Sequence, residues 1–346
     1  MKRNSISICV ALICLFASFS ANAQRPVWVV AHACNSHQCL INAVRDGASG
    51  VEIDIHTIFE HADNDWSVNH GSKNEKYLDP TEREKRNKSE DRTGNRRYVS
   101  LKEYLNFEEM DKINILWLDV KTANCGKGLV KYVHEILLER YHSIDKVPFS
   151  IIYGFYGRMD YCAYITDIGS QLWSNEGISL AYEGKTGNEW SSGTFGDIED
   201  WMNKYNVTTR QHFMTCGFGA GFTVGKNSIE PQCIRQAKEK MLQDQYCSRI
   251  GFWTCTQANH GLQLVCAKDD FIDSYETECD LILMECDTEF YPLNLPGFNR
   301  WAVQNFINKF FKKDGEWYNK YNHEKYRLAT KDDVFYARYS DPTRVK

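Results

Sequence analysis

Residues 47–54, Gly47-Ala48-Ser49-Gly50-Val51-Glu52-Ile53-Asp54, decide the fold. Two glycines lead into an apolar run interrupted by two acids spaced two apart. In an extended chain that spacing puts both carboxylates on one side of the strand. Carboxylates inside an apolar strand are costly to bury unless something neutralises them. The stretch therefore predicts a buried strand that delivers charge to a functional site. The same grammar recurs on either side. Val27-Trp28-Val29-Val30-Ala31 ends in His32, Trp66-Ser67-Val68-Asn69 ends in His70, and Ile113–Leu118 ends in Asp119 with Lys121 two residues on.

Working outward, Val27–His32, Val51–Ile55, Ile113–Val120, Phe149–Tyr153, Ile178–Tyr182, Ile250–Thr254 and Leu281–Met284 read as strands. Most are nearly continuous in hydrophobicity, as strands buried on both faces are. Gln211–Met214 fits either a further strand or an extended connector. Gly128–Tyr141 and Asp197–Tyr205 carry apolar residues at helical spacing. Strand–helix alternation over this length predicts an α/β fold, a single closed (β/α)8 TIM barrel. No internal repeat or linker divides the chain. In such a barrel functional groups project from the C-terminal ends of the strands, which is where the histidines and acids fall.

The first 23 residues read as a leader outside the fold. Lys2 and Arg3 precede an apolar run from Ile6 to Phe19, and Ala21-Asn22-Ala23 supplies a small-x-small cleavage site. Residues 24–346 then form one domain, with a C-terminal tail from about residue 297. A secreted protein with no membrane-spanning segment is expected. Of 13 cysteines, Cys9 and Cys14 lie in the leader. Most of the rest are expected to pair in an oxidising compartment. No C-x-x-C spacing supports a zinc cage. Asn87-Lys88-Ser89 and Asn206-Val207-Thr208 are glycosylation sequons.

The composition is ordinary for a globular protein, with 42% hydrophobic and 25% charged residues, and the formal net charge of −5 disfavours a nucleic-acid partner held by bulk charge. The polar segment Ser72–Arg97 reads as a solvated loop, placed directly after His70 to cover the barrel mouth. Gly217-Phe218-Gly219-Ala220-Gly221 lacks the strand-before, helix-after context of a dinucleotide fingerprint. There is no G-x-S-x-G, no H-E-x-x-H and no P-loop. Glu52, Asp54 and Asp119 with no nearby cysteine form an all-oxygen set suited to Mg²⁺ or Ca²⁺ over zinc.

Taken together, His32-x-x-Asn35, residues 47–54, Asn69-His70-Gly71 and Leu118-Asp119-Val120-Lys121-Thr122 resemble the glycerophosphodiester phosphodiesterase-like family. Within it, the sphingomyelinase D/phospholipase D toxins of spider venoms and their relatives are most similar. The step of 20 residues from His32 to Glu52 fits, as does Phe252-Trp253-Thr254. Tyr326-Arg327-Leu328-Ala329-Thr330-Lys331-Asp332-Asp333 resembles the motif with which that group closes the bottom of its barrel.

The resemblance implies that His32 and His70 form the catalytic pair. It gives Glu52, Asp54 and Asp119 to Mg²⁺, and Lys121, Trp253 and Asn35 to substrate binding. It implies a phospholipase D that releases the headgroup of sphingomyelin or lysophospholipids at a membrane surface, with a cyclic phosphate left behind; a monomer is expected. Glycerophosphodiester cleavage of small soluble diesters and a catalytically silent lipid-binding barrel remain alternatives. Gly251 stands where the toxins carry an aromatic residue, Thr256 where they carry an acid, and Val334-Phe335-Tyr336 where they carry Asn-Pro-Trp.

Overall fold

A computed structural model describes residues 24–57, 66–68, 99–121, 128–155, 171–181, 195–217, 230–255, 279–285, 302–308, 311, 317–318 and 325–336. The predicted leader, His70, the Ser72–Arg97 segment and the glycine-rich stretch after Gly217 lie outside them. The predicted strands appear as β1 (Gln24–His32), β2 (Gly50–Thr57), β5 (Ile115–Val120), β6 (Ser150–Phe155), β7 (Glu176–Ala181), β8 (His212–Gly217), β9 (Arg249–Cys255) and β10 (Leu281–Glu285). Each pairs in parallel with the next in this order, and β10 returns to β1, so the ring is closed. Gln211–Met214, open between strand and connector, belongs to β8 from His212 onward.

One expectation is corrected. Trp66–Val68 is not a barrel strand. β3 (Trp66–Val68) runs antiparallel to the upper end of β2, pairing Val68 with Ile55, and is flanked by β4 (Val99–Ser100). β2 continues past the barrel wall and offers its backbone there. Both Trp66 and Val68 are buried on this ledge, so their hydrophobicity carried no information about the barrel.

Helices pack outside the ring. The first, α1 (His37–Asp46), is capped by Ser36, whose hydroxyl accepts from the Cys39 amide, and it ends at Gly47 in the left-handed region. It was not among the predicted helices. The short α2 (Leu101–Leu105) follows β4. The predicted helices appear as α3 (Leu129–Tyr141) and α4 (Phe195–Lys204), and α5 (Glu230–Leu242) and α6 (Ala302–Ile307) complete those described. None of the described helices is long and apolar enough to cross a membrane.

The core has two parts. One fills the space between strands and helices. The other fills the barrel itself with Trp28, Val30, Ile115, Trp117, Ile152, Phe213, Leu281 and Leu283, joined by Ala329, Phe335 and Tyr336 from the C-terminal segment. Large rings fit because neighbouring strands carry glycine. A Cβ on Gly154 would sit 2.2 Å from Trp117 Nε1, and one on Gly251 would sit 2.3 Å from Phe213 Cζ. Phe213 thus occupies the space beside Gly251.

The predicted closure of the barrel bottom is present. β12 (Lys325–Leu328) pairs with the N-terminal half of β1 and is flanked by β11 (Trp317–Tyr318). Phe335 then meets Trp28 and Phe213 edge-on, with ring centroids 5.1 and 5.2 Å apart. Arg327 holds the turn through two bonds of 2.6 and 2.7 Å to Asp333. The Asn114 amide donates to the Thr330 carbonyl at 2.7 Å.

Candidate active site

The site forms where β1, β2 and β5 reach the C-terminal rim of the barrel. Register pairs Asp54 directly with Asp119, and Glu52 lies one inward-facing step below Asp54. One oxygen from each of the three acids lies within 4.8 Å of the others. Glu52 and Asp54 are 0% exposed and Asp119 2%. Burial pushes the Glu52 carboxyl up to about 8, with the charge of Asp54 adding to the effect. Burial likewise lifts Asp119 to about 6, against the pull of Lys121.

Lys121 lies among these acids. Its Nζ is 2.8 Å from Asp54 Oδ1 and also pairs with Asp119. Burial works against its charge, but Asp119, Asp54 and Glu52 together hold it above the ordinary lysine value. One ammonium does not balance three carboxylates. Glu52 Oε1 and Asp119 Oδ1 are buried with no hydrogen-bond partner among the described residues. Such oxygens fit a hard divalent cation, which takes oxygen ligands and requires no donor hydrogen.

His32 ends β1 at the same rim, with its Nε2 3.8 Å from Glu52 Oε2. Its side chain is 19% exposed and so reaches the mouth. Asn35 follows in the turn and meets Asp54 at both ends of its amide. Its Nδ2 donates to Asp54 Oδ2 at 2.6 Å, and its Oδ1 accepts from the Asp54 amide at 2.8 Å. The Ala33 amide donates to Glu52 Oε2 at 2.5 Å. Trp253 pairs in register with Gly217 near the end of β9; its side chain is outside the described part of the molecule. His70 is outside it altogether.

The structure therefore brings together His32, Asn35, Glu52, Asp54, Asp119 and Lys121. Sequence reasoning missed two contributors, the backbone of Ala33 and the side chain of Tyr104. No residue-type signal marks a backbone amide, and Tyr104 lies 70 residues from the carbonyl it meets.

Buried acids, a lysine and a histidine at the C-terminal rim define a class, a (β/α)8-barrel enzyme whose site can hold a divalent cation. The chain belongs to the Sphingomyelinase D/Phospholipase D family, whose family model matches residues 22–273. It is an enzyme of the phosphodiesterase type. The match stops short of β10 and the C-terminal segment. No curated protein matches as a relative.

Among solved structures, one from Galdieria sulphuraria, assigned as a glycerophosphodiester phosphodiesterase, is similar with a TM-score of 0.52. It has 13% identity, over 83% of this chain and 99% of that one. A glycerophosphodiester phosphodiesterase from Parabacteroides distasonis gives a TM-score of 0.45 and 14% identity, over 76% and 94%. At 13% identity the likeness to the Galdieria sulphuraria structure concerns the fold alone.

Proposed function

We propose that this protein is a secreted, Mg²⁺-dependent phospholipase D of the sphingomyelinase D type, acting on sphingomyelin or lysophospholipids at a membrane surface. The observation that carries the reading is the convergence of Glu52, Asp54 and Asp119 beside Lys121 and His32 in a chain of this family. Secretion is supported by the leader-like residues 1–23 and by the cysteine content.

Glu52, Asp54 and Asp119 would hold the cation, which when bound supplies positive charge to an anionic phosphate and to charge developing on it. Lys121 brings a second positive charge to the same edge. Its ammonium, tethered by Asp54 and Asp119, is available to a phosphate oxygen at the mouth. His32 moves a proton at a ring nitrogen. In the reaction a hydroxyl of the lipid gives its proton to one histidine as its oxygen bonds to phosphorus. The bond from phosphorus to the headgroup oxygen breaks, and the second histidine, assigned to His70, gives a proton to the departing alcohol. The products are a cyclic phosphate and free choline or ethanolamine.

The test is phosphorus NMR of the full chain with sphingomyelin, lysophosphatidylcholine and glycerophosphocholine, with Mg²⁺ or with chelator. The expected result is a cyclic phosphate resonance from the lipids that chelator abolishes. Turnover of glycerophosphocholine alone would replace this reading with a phosphodiesterase of small soluble diesters. Lipid binding without turnover would replace it with a silent lipid-binding barrel.

A further inference from the structure

The chain leaves β1 through a turn at Ala33, whose φ of +51° is in the left-handed region that a residue with a Cβ seldom adopts. That turn is bonded throughout. The Ala33 amide donates to Glu52 Oε2 at 2.5 Å and the Cys34 amide to the Glu52 carbonyl at 2.8 Å. Asn35, 2% exposed, meets Asp54 through both ends of its amide. From the outer side Tyr104, fully buried on α2, donates its hydroxyl to the Cys34 carbonyl at 2.7 Å.

The pattern of oxygens is informative. Glu52 gives Oε2 to the turn and leaves Oε1 without a donor among the described residues. Asp54 gives Oδ2 to Asn35 and turns Oδ1 toward Lys121. Each acid thus has one oxygen fixed by scaffold and one directed elsewhere. The Asn35 side-chain amide accepts from the Asp54 N–H and donates to the Asp54 carboxylate from one short planar group. An aspartate there would oppose two carboxylates, and an apolar residue would leave both contacts unmade.

We infer that Asn35 is a positioning residue for the metal site, fixing Asp54 from behind, and that Tyr104 buttresses the turn carrying it. The inference rests on the reading of Glu52, Asp54 and Asp119 as cation ligands, and it reassigns Asn35 from the substrate to the scaffold. Outer-sphere partners of this kind orient ligands and tune affinity.

The experiment is calorimetric titration of Mn²⁺ into the full chain without substrate, for wild type, Asn35→Ala and Tyr104→Phe, alongside metal-free melting curves and KM for sphingomyelin at saturating metal. Asn35→Ala should weaken Mn²⁺ binding roughly 10–100-fold with KM little changed. Tyr104→Phe, which keeps the ring in the core, should weaken it several-fold and carries the test if Asn35→Ala does not fold. A purely structural role would lower the melting temperature and leave the affinity of the folded protein as it was. Wild-type Mn²⁺ affinity in Asn35→Ala, above all with a raised KM, would overturn the inference and return Asn35 to the substrate. Absence of Mn²⁺ binding by the wild type would overturn the metal reading itself, and this inference with it.

Discussion

Glu52 and His212 are both fully buried, and they make stability depend on pH in opposite senses. Glu52 holds its proton more tightly in the fold, up to about 8 against 4.5, because burial disfavours its charge. Its contribution is therefore present below the unfolded value and lost as pH rises through about 8. In chelator, the melting temperature should fall between about pH 5 and about pH 8, and Mg²⁺ should restore it by a margin that widens with pH, since binding displaces protons. Thermal scans with and without Mg²⁺ check this; a margin that does not change with pH would contradict it. His212 donates from Nδ1 to the Tyr246 carbonyl, and its Nε2 has no hydrogen-bond partner among the described residues. Burial holds it down at about 4 from 6.5. Its contribution is present above pH 6.5 and lost as pH falls toward 4, to a total of about 3 kcal/mol. His212→Gln should flatten the acid limb of the stability curve measured by urea unfolding. The acids at strand ends were readable because charge in an apolar run stands out. His212 was not, because nothing in its neighbours signals which face of β8 it occupies.

At the scale of the element, the interior of the barrel depends on pairing a ring with a glycine across adjacent strands. Gly251→Ala should destabilise by roughly 1–3 kcal/mol, the range for forcing extra volume into a packed core. Phe213→Leu in the same chain should recover part of that loss, because the ring is what the new methyl meets. Denaturant midpoints of the two single variants and the double would show the coupling, and simple additivity would refute it. β1, β2 and β5 were readable because each is a long apolar run that stops at a polar residue. β3 alternates apolar and polar residues and packs the apolar ones on a ledge, and a strand pattern does not say which sheet neighbour it takes. The helix α1 went unread although Ser36 and Gly47 bracket it, since its buried stripe of Cys39, Leu40 and Ala43 is narrow and weakly apolar.

For the whole molecule, the C-terminal segment closes the barrel floor while the acids sit at the opposite rim. Phe335→Ala should therefore cost about 3–5 kcal/mol of stability, as for buried phenylalanines generally. Turnover well below the melting temperature should change little. Loss of turnover in a variant that is still folded would mean that floor and rim are coupled. The floor was readable from Tyr326–Asp333 by resemblance alone. The rings that complete it, Phe335 and Tyr336, fall outside that resemblance, and only the packing reveals that they join the barrel core. That floor also sets an order of events during synthesis. β1 must bond to β10 and β12, and Arg25 pairs with Asp280 across 255 residues of chain. A ribosome therefore releases the apolar edge Val27–Val30 long before its partners on that side exist. Until then the edge is open to other chains. Closure of the ring therefore waits on the synthesis of β10 and β12, and until then β1 is the edge of an unfinished sheet.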